Sequence, residues 1–229
     1  MGLILQIDTA TPVCSAALAA EGVVLSSASV NEGFKHAENI LSLCLKVLSD
    51  ANKQIDQLEA IAVSCGPGSY TGLRIGVSTA KGLCYGLDIP LITVSSLQMM
   101  AEHFYTLHPY FEGIAVPMID ARRMEVYTGM YNKSGKCIMP DRAFIVNEQT
   151  LEAPEKQASY AFFGDGAAKC REILEHSMPQ SLFTLLASPE ARGLSLSAHR
   201  AFVQKQFADL AYFEPEYLKP YQGTPPLKS

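Results

Sequence analysis

Three groups of residues in this 229-residue chain have the types and spacing to do chemistry. Asp8-Thr9-Ala10-Thr11 closes an apolar run and sets a carboxylate beside two hydroxyls. Such a turn can hold a hydrated metal or meet phosphate oxygens, since hydroxyls and turn amides donate to anions. It can equally be an Asx-type turn in which Asp8 accepts from its own amides. Gly66-Pro67-Gly68-Ser69-Tyr70-Thr71-Gly72 follows a second apolar run and invites a phosphate-loop reading. Its spacing argues against that reading. No Gly-Lys-Ser/Thr follows at the Walker distance, and the third glycine of a dinucleotide fingerprint comes one position late. Asp120-Ala121-Arg122-Arg123-Met124-Glu125 places two guanidiniums between carboxylates, suited to internal ion pairs or to a phosphate or partner carboxylate.

Other catalytic sets find little support. His36 opens a helical stretch, but the position one turn on, where a second metal ligand belongs, is Ile40; His103 and His108 stand alone. No Ser-His-Asp or Cys-His pair has a recognisable context, and there is no glycine-flanked nucleophile elbow. Ser69 fits a helix cap better than a nucleophile. The six cysteines are scattered without a metal or redox spacing and read as small buried hydrophobes of a reducing compartment.

These groups need elements to position them. Strands are expected at Leu3–Asp8, Cys14–Ala20, Val23–Val30, Ile61–Ser64 and Leu91–Val94, with helices over 36–51, 71–87 and 95–105. The order β-β-β-α-β-α-β-α implies a mixed sheet covered by helices on both faces. A boundary at His108-Pro109 divides the chain into lobes 1–108 and 109–229. The second lobe repeats the scheme: strands over 113–119, 125–131, 136–146 and 160–163, with a hairpin turn at 132–135. Gly164-Asp165-Gly166 then opens a helix to about His176, followed by a last helix over 196–210 and a proline-rich, extended tail. A strand ending in Asp120 mirrors the one ending in Asp8, so the halves read as duplicates, the second reduced.

The helix over 71–87 carries glycines at 72, 76, 82 and 86, at a cost of about 4 kcal/mol relative to alanine. Gly72, Gly76 and Ala80 are four apart and form a smooth ridge flanked by Leu73 and Val77. Recovering that cost takes about 160 Å² of apolar burial, which the protein's own sheet or a partner helix could supply. Spacing alone leaves both open.

With 48% hydrophobic and 18% charged residues, the chain has the composition of a globular protein. A net charge of −5 without a Lys/Arg cluster argues against a stand-alone nucleic-acid binder. The N-terminus lacks the pattern of a signal peptide, and no apolar stretch reaches the length of a membrane span. A cytoplasmic location is expected.

Ile7–Thr11, Gly66–Gly76, Ala80–Gly82, Val94–Leu97, Pro117–Tyr127 and Gly164–Gly166 closely resemble the bacterial TsaB (YeaZ) proteins, in order and along the chain from Leu3 to Lys219. The resemblance implies the two-lobed actin/Hsp70/sugar-kinase fold, α/β with mixed sheets flanked by helices. It also implies a non-catalytic scaffold that joins a TsaD-like transferase and a TsaE-like ATPase to make threonylcarbamoyladenosine beside the anticodon of tRNA. Transferases of the TsaD type carry His-x-x-x-His where this chain has His36 and Ile40, so a divalent metal loses a ligand. Asp8, Thr9 and Thr11 keep a vestigial phosphate motif with room for weak ATP or ADP binding, while no cofactor is required. The resemblance further implies self-association through the first lobe, tRNA contact only within the complex, and no membrane contact. It implies a helical partner interface, expected on Gly72, Leu73, Gly76, Val77, Ala80, His36 and Ile40. The competing reading is an enzyme of the same fold: an ATP-binding phosphotransferase or ATPase using Asp8, or a metallopeptidase.

Overall fold

The computed structural model describes residues 2–33, 35–147, 158–178, 181–184 and 189–219. Its first half opens with a meander of strands β1 (Leu3–Asp8), β2 (Cys14–Ala20) and β3 (Val23–Val30). Helix α1 (His36–Asp50), strand β4 (Ala60–Ser64), helix α2 (Tyr70–Leu87), strand β5 (Leu91–Val94) and helix α3 (Ser96–Leu107) follow. The first sheet has the order β3-β2-β1-β4-β5, antiparallel through the meander and parallel from β1 to β5.

The second half repeats that plan. Strands β6 (Ile114–Asp120), β7 (Glu125–Tyr131), β8 (Cys137–Ile145), β9 (Tyr160–Phe163) and β10 (Leu182–Phe183) form a sheet of order β10-β9-β6-β7-β8. Its pairings match the first sheet strand for strand, antiparallel over the meander and parallel over the rest. Helix α4 (Asp165–Ser177) follows β9 as α2 follows β4, and helix α5 (Ser195–Val203) comes last. Asp8 and Asp120 therefore end equivalent strands, and Gly66 and Gly164 sit at equivalent turns, both with left-handed φ (122° and 100°).

Alternation along each strand divides the core. On one face of the first sheet Leu5, Ile7, Ile61 and Val63 meet Ile40, Val47, Val77 and Ala80 from α1 and α2. On the other, Ile4, Ala60 and Ala62 meet Met99, Leu194 and Ala198. The second sheet buries Val116 and Met118 against Cys170 and Leu174 of α4. Its opposite face holds Leu97, Met100 and Phe104 of α3, whose Phe104 ring stacks on Phe163 at 4.7 Å.

Two expectations change here. The boundary at residue 108 does not separate the packing units: α3 lies between the sheets, and residues 191–213 return to the first one. The last helix also ends at Val203 rather than at 210, because Lys205 turns left-handed (φ 54°) and the Ala208 amide donates to Leu91 O at 2.9 Å, at the edge of β5. Strand β10 lies in a stretch whose sequence carries no strand pattern. The end of the proline-rich tail, 220–229, lies outside the described residues.

Candidate functional site

The first β-turn and the start of α2 are built into one another. Ser69 caps α2 by accepting from the Gly72 amide at 3.3 Å, and its own amide donates to Ala10 O at 2.7 Å. The Thr9 hydroxyl donates to Gly72 O at 2.7 Å. A Cβ added at Gly68 would overlap Ala10 O, one at Gly72 would overlap Thr9 O, and one at Gly76 would overlap the Thr9 hydroxyl. The glycines are thus the condition for the Asp8–Thr11 turn to lie on the helix.

This corrects the expected partner interface. Gly72, Leu73, Gly76, Val77 and Ala80 are all buried within the chain's own first lobe, as are His36 and Ile40, each 1% exposed. The ridge faces inward because β1 and its turn need the close approach. What α2 leaves open is the opposite side: a methyl group added at Gly82 or Gly86 would meet nothing within 4 Å, and Tyr85 is 83% exposed. Leu41 and Leu45 of the neighbouring α1 are 52% and 62% exposed.

Asp8 is fully buried at the end of β1. Its Oδ1 accepts from the Ser64 hydroxyl and, at 3.2 Å, from the Ala10 amide. Burial pushes its carboxyl up from 3.8 to about 7, and the Ser64 and Ala10 hydrogen bonds only partly oppose that. Among the described residues its Oδ2 and the buried Thr11 Oγ1 have no partner. Of the two sequence readings, the Asx-type turn is present in the Ala10–Asp8 bond, and the two open oxygens leave a rudimentary capacity for a polar ligand.

A cleft of about 570 Å³ opens above this turn, between the lobes. Ala10, Thr11, Pro67–Thr71 and the N-terminus of α2 form one wall; Ile119–Arg122, Tyr127 and Asp165 form the facing wall. Glu216–Lys219 of the C-terminal segment line it as well, a participant that no local sequence signal marks. Asp120 pairs with Lys169 and accepts from the Arg122 amide at 2.9 Å. Its burial favours the neutral form, but those partners win and hold its carboxyl below the ordinary range. Arg122 and Arg123 both have left-handed backbones and are exposed. Among the described residues neither guanidinium is in an ion pair, although the Arg122 charge helps to lower the Asp120 carboxyl. Gly164-Asp165-Gly166 sits against Met118, Ile119 and Asp120, with Asp165 Oδ1 accepting from the Asp120 amide at 2.9 Å.

His36 is buried, which lowers its pKa, and Ile40 packs in the first core. Among the described residues no cluster of three or more His, Cys, Asp or Glu side chains could hold a metal ion. No helix among them is long and apolar enough to cross a membrane.

The family model for TsaD, tRNA N6-adenosine threonylcarbamoyltransferase, matches residues 22–224. The tRNA threonylcarbamoyladenosine biosynthesis protein TsaB of Bacillus subtilis is 32% identical over 221 residues, covering 94% of this chain and 93% of its own length. The chain belongs to the TsaB (YeaZ) family. The TsaB of Haemophilus influenzae is 31% identical over 228 residues, covering 94% of this chain and 93% of that protein. Among solved structures, YeaZ from Pseudomonas aeruginosa superimposes with a TM-score of 0.80 at 28% identity, over 95% of this chain and 100% of that one. The activator of 2-hydroxyisocaproyl-CoA dehydratase from Clostridium difficile shares the fold alone, with a TM-score of 0.53 at 8% identity over 90% of this chain and 98% of its own. This family member therefore has the two-lobed actin/Hsp70/sugar-kinase architecture, as its duplicated sheets require.

Proposed function

We propose that this chain is a non-catalytic subunit in the biosynthesis of threonylcarbamoyladenosine in tRNA, supporting a TsaD-like transferase and a TsaE-like ATPase in the cytoplasm. The family and its relatives' role supply the pathway. The observation that carries the non-catalytic part is the state of Asp8: buried, hydrogen-bonded to Ser64 and Ala10, and with its carboxyl raised to about 7. A buried carboxylate that is half-neutral near pH 7, with one of its two oxygens already held by two donors, is a poor anchor for a metal–nucleotide complex. Thr11 and the α2 N-terminus would meet the phosphates of an adenine nucleotide in this cleft, but the chain's role does not require one.

The outward side of α1 and α2 is the proposed docking face, in place of the buried ridge. Leu41, Leu45 and Tyr85 offer apolar area, and Gly82 and Gly86 let a partner helix come close. The same face would serve self-association or the TsaD-like partner, and tRNA would be met only within the complex. Calorimetry with ATP and magnesium separates this reading from the phosphotransferase alternative. Micromolar binding and turnover, both lost in Asp8→Asn, would make the chain an enzyme; absence of turnover with retained partner binding supports the subunit.

A further inference from the structure

The C-terminal segment crosses from one lobe to the other along the cleft. It starts on the first lobe, where Ala208 bridges to Leu91 and Lys81 Nζ donates to Phe213 O at 3.0 Å and Ala211 O at 3.2 Å. The Glu216 amide then donates to Cys65 O at 2.8 Å. Gly66 makes that approach possible, since a Cβ there would overlap Glu216 O. The Tyr217 ring stacks on Tyr70 at the first residue of α2, 4.5 Å between centroids, and its hydroxyl accepts from Arg74 Nε at 3.2 Å. Two residues on, Lys219 pairs with Glu125 at the start of β7, in the second lobe. Both partners of that pair are about three-quarters buried.

We propose that residues 214–219 are a releasable strap that ties the lobes together and closes one side of the cleft. Its contacts are of the kind that can let go as a unit. Among the described residues beyond Glu216 it adds no strand or helix, and besides the Glu216–Cys65 bond it is held by one aromatic stack, one side-chain hydrogen bond and one ion pair. Two-lobed folds open and close by hinge motion, and a tie from the start of α2 to β7 sets the gap between the walls that carry Thr11 and Arg122. Release exposes those walls; seating hides them. The strap stands independently of the tRNA-modification role.

A charge swap tests it in the full-length chain. Lys219→Glu alone and Glu125→Lys alone each oppose like charges across the tie, and the double variant restores an opposite-charge pair; Tyr217→Ala removes the stack. Amide hydrogen exchange reads the strap, and electron–electron distance measurements between spin labels at Ser78→Cys and Glu172→Cys, in a Cys137→Ser background, read the lobes. The expected result is exchange about tenfold faster or more at 216–219 and in the walls 66–71 and 121–127 of each single variant. A longer inter-lobe distance should accompany it, both should revert in the double variant, and β1 and β4 should stay as protected as before. The proposal fails if 216–219 exchanges in the unmodified chain like an unstructured peptide. It also fails if loss of the tie leaves the two walls and the inter-lobe distance unchanged.

Discussion

The Thr9 hydroxyl lies against the Cα of Gly76, two turns into α2, and leaves no space there for a methyl group. That contact decides which way the glycine ridge faces. Four small residues in a helix give up propensity, and here Gly72 and Gly76 return it by letting the Asp8–Thr11 turn sit directly on the helix.

Substitutions on the two sides of α2 should therefore behave in opposite ways. Gly76→Ala is expected to destabilise the chain by about 1–3 kcal/mol through overpacking against Thr9. Gly82→Ala, with open space around it, should stabilise by up to about 1 kcal/mol. Urea unfolding of the two variants against the unmodified chain measures both, and equal effects would show that the ridge is not inward-facing.

Asp8 should write a signature into the pH dependence of stability. Its folded pKa, about 7, lies above the unfolded value of 3.8, so between those values the folded state holds a proton that the unfolded state has lost. The contribution is fully present below pH 3.8 and disappears as pH rises through 7, a loss of up to about 4 kcal/mol. Asp8→Asn keeps the shape and cannot ionise. Unfolding free energies measured at about pH 5 and about pH 8 should fall between the two for the unmodified chain more steeply than for Asp8→Asn.

The second lobe is pinned to the start of α3 by Asp141, which accepts from the Ser95 and Tyr131 hydroxyls. Ser95 in turn caps α3, accepting from Leu97 and Gln98 amides at 3.1 and 3.2 Å. Asp141→Ala leaves two hydroxyls without their acceptor and should cost about 1–3 kcal/mol. Thermal unfolding checks this, and Asp141→Asn, which keeps an acceptor oxygen, should recover part of the loss.

The docking face makes a separate prediction. Leu45→Glu puts a charge on the outward side of α1 and should weaken self- or partner association tenfold or more, about 1.4 kcal/mol. The monomer's unfolding curve should not move, since Leu45 is largely exposed. Sedimentation velocity over a concentration series reads the association.

Much of this architecture is legible in the sequence, for a physical reason. The apolar runs in 3–8 and 14–20 and the 3.6-residue period in 36–51 report burial directly, and the Asp8/Asp120 repetition exposes the duplicated plan. Periodicity tells which residues share a face, however, not what lies opposite. Gly72, Gly76 and Ala80 satisfy the demands of an own-chain turn and of a partner helix equally well, so the ridge is readable and its direction is not. Outward-facing Gly82 and Gly86 carry the same local signal. The strap is hidden because its contacts are remote in sequence: Arg74 meets Tyr217 across 143 positions. Lys205 stops the last helix with a left-handed backbone that nothing in a lysine announces.

A subunit required for tRNA modification, without chemistry of its own, is tested most directly by reconstitution. A TsaD-like transferase and a TsaE-like ATPase are assayed for threonylcarbamoyladenosine in tRNA without this chain, with it, and with Asp8→Asn. Product is expected only when the chain is present, and as much with Asp8→Asn as with the unmodified chain. Equal product without the chain, or none with a folded Asp8→Asn, would contradict that role.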